Sequence, residues 1–414
     1  MEEQQLVMIQ ETEAELNERF NEISRLVTYN QNKVLKAFQR LNVSDVHFTP
    51  TTGYGYDDLG REKLEELYAE VFGAEDALVR PQIISGTHAI STTLFGLLRP
   101  GDELLSITGA PYDTLESVIG HKQQVDGSLT DFGITYREIP LNTQGEVQRD
   151  LIKDYMSEHT KVIAIQRSKG YANRPSFSVD DIKKMIEYVK SIKSDAIVFV
   201  DNCYGEFVEV DEPTNVGADI IAGSLIKNPG AGIVRTGGYI VGRQDLIKRC
   251  ANRLSAPGLG KEAGATLNSL QEMFQGLFLA PHTVGEALKG SYFTATLLCK
   301  HGFATTPSYD AERTDLIQSV TFNTKEEMIQ FAQKIQQQSP INAYVTPEPS
   351  YMPGYDHDVI MAAGTFIQGA SLELTADGPI REPYTLYVQG GLTYEHVKLA
   401  ITEALCSLSL TTSK

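Results

Sequence analysis

The sequence predicts an α/β protein: a mainly parallel seven-stranded sheet in a large domain over residues 51–280, a smaller α/β domain over 281–414, and a helical arm over 1–50. Three observations predict it. Between residues 77 and 242 short apolar runs alternate with helical stretches such as SVDDIKKMIEYVKSI, the pattern of strand, crossover and strand. The runs are apolar throughout rather than at every second position, as expected of strands buried on both faces. Past about residue 285 the pattern changes, with SVTFN, AYVTP, VIMAAG, LELTA and LYVQGG as shorter strand candidates around a helix at 324–337 and a last helix at 393–408.

The elements follow in order. Leu6, Ile9, Leu16, Phe20, Ile23, Val27, Val34, Phe38 and Leu41 recur at a broken three-and-four spacing, which predicts one or two amphipathic helices that need a surface to cover. TPTTGYGYDDLGRE is rich in Gly and Thr and reads as a loop. Leu64, Leu67, Tyr68, Val71 and Phe72 then predict a helix over 59–72 that stops at Gly73. The seven strands are ALVR (77–80), ELLSI (103–107), ITYREI (134–139), KVIAIQ (161–166), AIVFV (196–200), DIIAG (219–223) and GYIVG (238–242).

With 36 basic and 54 acidic residues among 414, the formal net charge is −18, and no local basic patch offsets it. Such a surface repels phosphate backbones and anionic lipid, so nucleic acid and membranes are not expected partners. The acidic start does not resemble a targeting leader, and no stretch approaches the roughly 18 uninterrupted apolar residues of a membrane span. Cys203, Cys250, Cys299 and Cys406 are far apart and the eight histidines scattered, so neither disulfides nor a metal centre is expected. The expectation is a cytoplasmic protein.

In an open α/β sheet, function concentrates just past the carboxyl ends of the strands. Ser85-Gly86-Thr87 follows the first strand and opens a helix; small residues and free N–H groups at a helix start suit an anion, although a Ser/Thr cap alone explains an isolated S-G-T. Asp201 ends AIVFV, where a desolvated carboxylate demands a cation or strong donor. Ser224-Leu225-Ile226-Lys227 follows DIIAG, and a desolvated lysine with a lowered pKa is a nucleophile. Each has an ordinary structural reading, but together they match the needs of pyridoxal phosphate: its phosphate on the helix start, its ring nitrogen on Asp201, its aldehyde on Lys227 as a Schiff base. His88 lies near this site with no assigned task, and Cys203 reads as a small buried hydrophobe.

GYGYDDLGR, SGTHA, VDNCYGEF and GSLIKNPGAGI resemble the fold type I pyridoxal-phosphate enzymes, and within them the methionine gamma-lyase or aluminium-resistance branch of the cystathionine beta-lyase-like group. The resemblance implies that Lys227 carries the cofactor and shuttles the proton at the substrate's α-carbon, that Asp201 keeps the ring nitrogen protonated, and that Ser85, Gly86, Thr87 and Ser224 bind the phosphate. It also implies that Tyr112, in GAPYDTLES, stacks on the ring and protonates a leaving thiolate. Tyr54, Tyr56 and Arg61 would reach the cofactor phosphate of a neighbouring subunit in a homodimer or homotetramer. Arg381 would grip the carboxylate of an amino-acid substrate, with Arg167 and Lys169 as weaker candidates. The departure is Leu225-Ile226-Lys227-Asn228, where the well-studied lyases have a Ser-x-Thr-Lys context. The function so implied is carbon–sulfur elimination. The alternatives are another fold type I reaction, such as transamination or decarboxylation, and a non-catalytic cofactor-binding role in metal resistance.

Overall fold

The computed structural model describes residues 3–50, 56–172, 174–352 and 355–409. The helices are α1 (Glu3–Arg40), α2 (Leu59–Val71), α3 (Gly86–Leu97), α4 (Asp113–Ile119), α5 (Arg149–Tyr155), α6 (Val179–Ile192), α7 (Gln244–Leu254), α8 (Leu270–Lys300), α9 (Lys325–Gln337) and α10 (Tyr394–Ser409). The strands are β1 (Asp76–Arg80), β2 (Glu103–Ser106), β3 (Thr135–Glu138), β4 (Thr160–Gln166), β5 (Ile197–Asp201), β6 (Ile220–Ser224), β7 (Gly238–Gly242), β8 (Ala304–Thr306), β9 (Ile317–Thr321), β10 (Val359–Ala362), β11 (Thr375–Pro379) and β12 (Thr385–Gln389). The chain divides into two compact units, Asn32–Phe278 and Met1–Gln31 with Leu279–Lys414, the divisions falling within α1 and α8.

The unit Asn32–Phe278 holds a seven-stranded sheet in the order β1-β7-β6-β5-β4-β2-β3. Only β7 runs against its neighbours β1 and β6; the β6-β5-β4-β2-β3 ladders are parallel. Every predicted strand of this sheet is present, to within one residue at each end. β5, β6 and β7 are buried at every position, which is why their sequences are apolar runs rather than alternations. The core clusters Leu78, Ile90, Leu94, Leu104, Phe199, Ile220 and Ile240 with Leu246 and Ile247 of α7.

In the other unit the second sheet is wholly antiparallel, ordered β10-β11-β12-β9-β8. Two of its predicted strands are corrected. AYVTP forms a turn with Tyr344 87% exposed, having no partner strand to bury it, and LELTA enters the sheet only at Thr375. The arm is a single helix, α1, whose Ile9, Leu16 and Ile23 are buried at intervals of seven. It finds its surface within its own unit: Phe20 meets Tyr394 edge-on at 5.1 Å, and Glu13 accepts hydrogen bonds from Tyr394 Oη and Lys398 Nζ at 2.9 and 2.8 Å. None of the described helices is long and apolar enough to cross a membrane.

Candidate active site

The strand register sets the site. Gln166, the last residue of β4, pairs with Asp201, the last of β5, and Asp201 pairs with Ala222 of β6, two residues before Ser224. Three polar side chains thus emerge side by side at the carboxyl edge, Asp201 and Ser224 each closing a strand that is otherwise apolar. The first turn of α3 abuts this edge: a Cβ on Gly86 would stand 3.4 Å from both Ser224 Cβ and Cys203 Sγ. Ser85 caps the helix by accepting from the His88 amide at 3.0 Å. The amides of Gly86 and Thr87 belong to the first helical turn, whose donors no intrahelical carbonyl can reach. With the buried Ser224 hydroxyl, these amides make a cradle of donors at the positive end of a helix, suited to a phosphate.

Past Ser224 the chain turns sharply through Asn228–Gly230, and Lys227 opens that turn. A side chain at 230 would come within 1.8 Å of the Leu225 carbonyl, so only glycine allows it. Lys227 is half-buried, and its Nζ lies 4.0 Å from the centroid of the Tyr204 ring. The sequence reasoning expected its pKa to be lowered; the structure corrects this. Burial does push the ammonium down, but the acidic groups around it, of which Asp201 is the carboxyl, pull the other way and raise it. Burial also pushes the Asp201 carboxyl up, against the pull of Lys227 and Arg174, and its Oδ1 accepts from the Cys203 amide at 3.1 Å. Lys227 and Arg174 are therefore the cations that act on Asp201.

Tyr112 precedes α4, and its amide donates to Gln166 Oε1 at 3.0 Å while its Oη donates to Thr87 Oγ1 at 3.0 Å. The phenol bridges to the cradle, and burial, with Asp201 nearby, keeps it protonated. Burial and Asp201 likewise raise the Cys203 thiol, which fits a packing residue rather than a nucleophile. His88 accepts from the Ile84 amide at 3.2 Å through Nδ1, and burial lowers its pKa. It braces the turn into α3.

Arg167 is corrected as a substrate grip. Arg167 is wholly buried, donating to Asn202 Oδ1 at 2.8 Å and Glu209 at 2.6 Å, with Glu212 3.6 Å away; it braces the turn after β5 from behind. Lys169 is buried in the loop after β4, where its amide donates to Ser176. Arg61 is 3% exposed, and its Nη1 donates to the Gly264 carbonyl at 3.4 Å within its own chain. Tyr56 is 61% exposed, and Tyr54 lies outside the described residues. Arg381 sits exposed in the β11–β12 turn of the other unit.

Three contributors escaped the sequence reading. Gln166 was legible as a polar residue ending an apolar strand. Glu206 is wholly buried, accepts from Tyr239 Oη at 2.6 Å, and is pushed up to about 8, chiefly by burial. Tyr204 has no sequence signal beyond its place after Asp201.

The residues fit pyridoxal phosphate: a cradle of amides and hydroxyls, a buried carboxyl, an amine and an aromatic ring converge at one sheet edge. A family model described as methionine gamma-lyase matches residues 5–409. A crystal structure of a Listeria monocytogenes protein, named as a candidate cystathionine beta-lyase involved in aluminium resistance, is 61% identical, with a TM-score of 0.96 over 97% of this chain and 99% of that one. The L-methionine gamma-lyase of Pseudomonas putida is 29% identical over 52% of this chain and 48% of its own. At 16% identity, the Escherichia coli pyridoxal-5'-phosphate-dependent protein YhfS shares the fold, with a TM-score of 0.60 over 93% of this chain and 97% of that one.

Proposed function

The chain belongs to the methionine gamma-lyase family, and from that premise we propose that it is a pyridoxal-phosphate-dependent lyase that eliminates a thiol from a sulfur-containing amino acid. The observation that carries the proposal is the meeting of Lys227, Asp201 and the Gly86–Ser224 cradle at one strand edge. Gly86, Thr87 and Ser224 would hold the phosphate, Asp201 would share a proton with the ring nitrogen, and Lys227 would hold the aldehyde carbon. Bound there, the cofactor would supply an electron sink for the α-carbon of the amino acid.

The chain's own groups do the rest. Lys227 would take the α-proton of a bound amino acid. Its surroundings favour the ammonium, so the proton, once taken, is held for return. Tyr112, kept protonated, would donate to a departing thiolate, and its bond to Thr87 fixes the hydroxyl against the cradle. Arg381 is proposed as the carboxylate grip, by its bidentate chemistry.

A homodimer or homotetramer in the cytoplasm is part of the proposal. Ile84, directly before Ser85, is 73% exposed, so the segment leading into the cradle presents apolar surface to a further copy. Size-exclusion chromatography showing a fully active monomer would sink that part. For the reaction, purified protein is incubated with cystathionine, methionine and cysteine. Release of thiol, ammonia and a keto acid is expected, pyruvate marking β-elimination and 2-oxobutanoate γ-elimination. Amino transfer to an added keto acid without thiol release would refute the lyase reading.

A further inference from the structure

The turn after β5 carries a backbone feature that the mechanism leaves unused. Tyr204 has φ 71°, in the left-handed region that bulky side chains rarely enter and hold only where their surroundings dictate it. Here the surroundings do dictate it. The Gly205 amide donates to the Asn202 carbonyl at 3.0 Å, closing the turn. Asn202 is clamped between Arg167, at 2.8 Å from its Oδ1, and Glu212, at 3.0 Å from its Nδ2. Ahead of it the Cys203 amide is tied to Asp201 at 3.1 Å. The wholly buried Arg167 also fills the space against Gly205, so the turn cannot relax towards it. The outcome of this bracing is one contact: the face of the Tyr204 ring lies 4.0 Å from Lys227 Nζ.

An aromatic face attracts an ammonium within about 6 Å, most strongly where water is excluded. A lysine on a long flexible stem has many places to put its amine, and one fixed partner selects among them. We propose that Tyr204 is the positioning residue for Lys227: the left-handed turn presents its ring face to Nζ and thereby fixes where the amine stands and holds its charge. The inference rests on the reading of Lys227 as the cofactor-bearing lysine. The other titratable groups acting on Nζ are Asp201 at the end of β5, Cys203 and Glu206 in the same turn, and Tyr112 before α4. Burial keeps Cys203, Glu206 and Tyr112 protonated, so Asp201 is the carboxyl among them that can carry the opposing charge, and Tyr204 offers a ring face instead. It holds the ammonium without the ion pair that would take Asp201 away from a ring nitrogen.

The test is the pH dependence of Lys227 acetylation by trace acetic anhydride in the full chain freed of pyridoxal phosphate, read by peptide mass spectrometry. Tyr204→Phe keeps the ring and should label with the parent's midpoint. Tyr204→Leu should lower that midpoint by about one pH unit, roughly tenfold more free amine at a given pH below it. An unchanged midpoint in Tyr204→Leu, or an equal shift in Tyr204→Phe, overturns the proposal. Should Tyr204→Leu fail to fold, replacing Tyr204 by fluorinated phenylalanines decides. These keep the ring's shape while draining its face, so a midpoint falling with each fluorine supports the proposal and a flat series overturns it. Because no cofactor is present, failure of this test is separate from failure of the lyase reading.

Discussion

Gly205→Ala should damage both the fold and the site, and the structure sets the size of the effect. The new Cβ would lie 2.4 Å from Arg167 Nη1 and 2.5 Å from its Cδ and Cζ. Gly205 is not among the glycines with positive φ, so the cost is steric rather than conformational. If the turn moves instead of the arginine, overpacking costs about 1–3 kcal/mol. If the guanidinium is displaced, Glu212, 1% exposed, and Glu209 lose their cation, and breaking a buried pair costs about 3–5 kcal/mol. A loss near 3 kcal/mol is therefore expected in equilibrium urea unfolding. Asp201 and Tyr204 flank the same turn, so pyridoxal-phosphate affinity should fall by tenfold or more in a spectroscopic titration, the equivalent of about 1.4 kcal/mol. A variant within about 0.5 kcal/mol of the parent, the range of an ordinary surface change, would refute the view of Arg167 as a rigid brace.

Gly86→Ala is the contrasting case: its Cβ makes ordinary 3.4 Å contacts, so unfolding should shift by less than about 0.5 kcal/mol while cofactor affinity drops, and retained affinity would remove Gly86 from the cradle. Tyr112→Phe should lower kcat by about a hundredfold or more with KM little changed, since it removes a proton donor but not the ring; an unchanged kcat would exclude the hydroxyl from the chemistry. Glu206, raised from 4.5 to about 8, keeps its proton in the folded chain at pH values where the unfolded chain has lost it. Stability should therefore fall as pH rises from about 4.5 to about 8, with a slope from this group of up to about 1.4 kcal/mol per unit, and level off above. Asp377, raised by burial to about 7, adds a slope of the same sign. Glu206→Gln should reduce the slope in urea unfolding at pH 5 to 8 without abolishing it, and an unaltered slope would contradict a buried, protonated Glu206.

The large sheet was legible because its strands are buried on both faces, so that AIVFV ends at the residue where a carboxylate replaces the apolar run. α8 was not legible: LFLAPHTVG is packed on most sides, so no apolar stripe marks it as a helix. β8 is three residues, the outer two exposed, paired with β9. The shared edge of Asp201, Ser224 and Lys227 could be read because Asp201 and Ser224 end apolar strands and Lys227 lies three residues beyond. Arg167 follows one too and was misread, because Glu209 and Glu212, which absorb its charge, lie more than forty residues further on. The conformation of Tyr204 is set by the bracing of Arg167, Asn202 and Glu212, and such a brace leaves no local trace in the sequence.

The most direct test of the account is borohydride reduction of the purified protein in pyridoxal phosphate, followed by peptide mapping. The account predicts a visible band that borohydride bleaches, with the reduced cofactor on Lys227 and none captured by Lys227→Ala. A colourless protein after incubation, or a reduced adduct on another lysine, would contradict the assignment of the site.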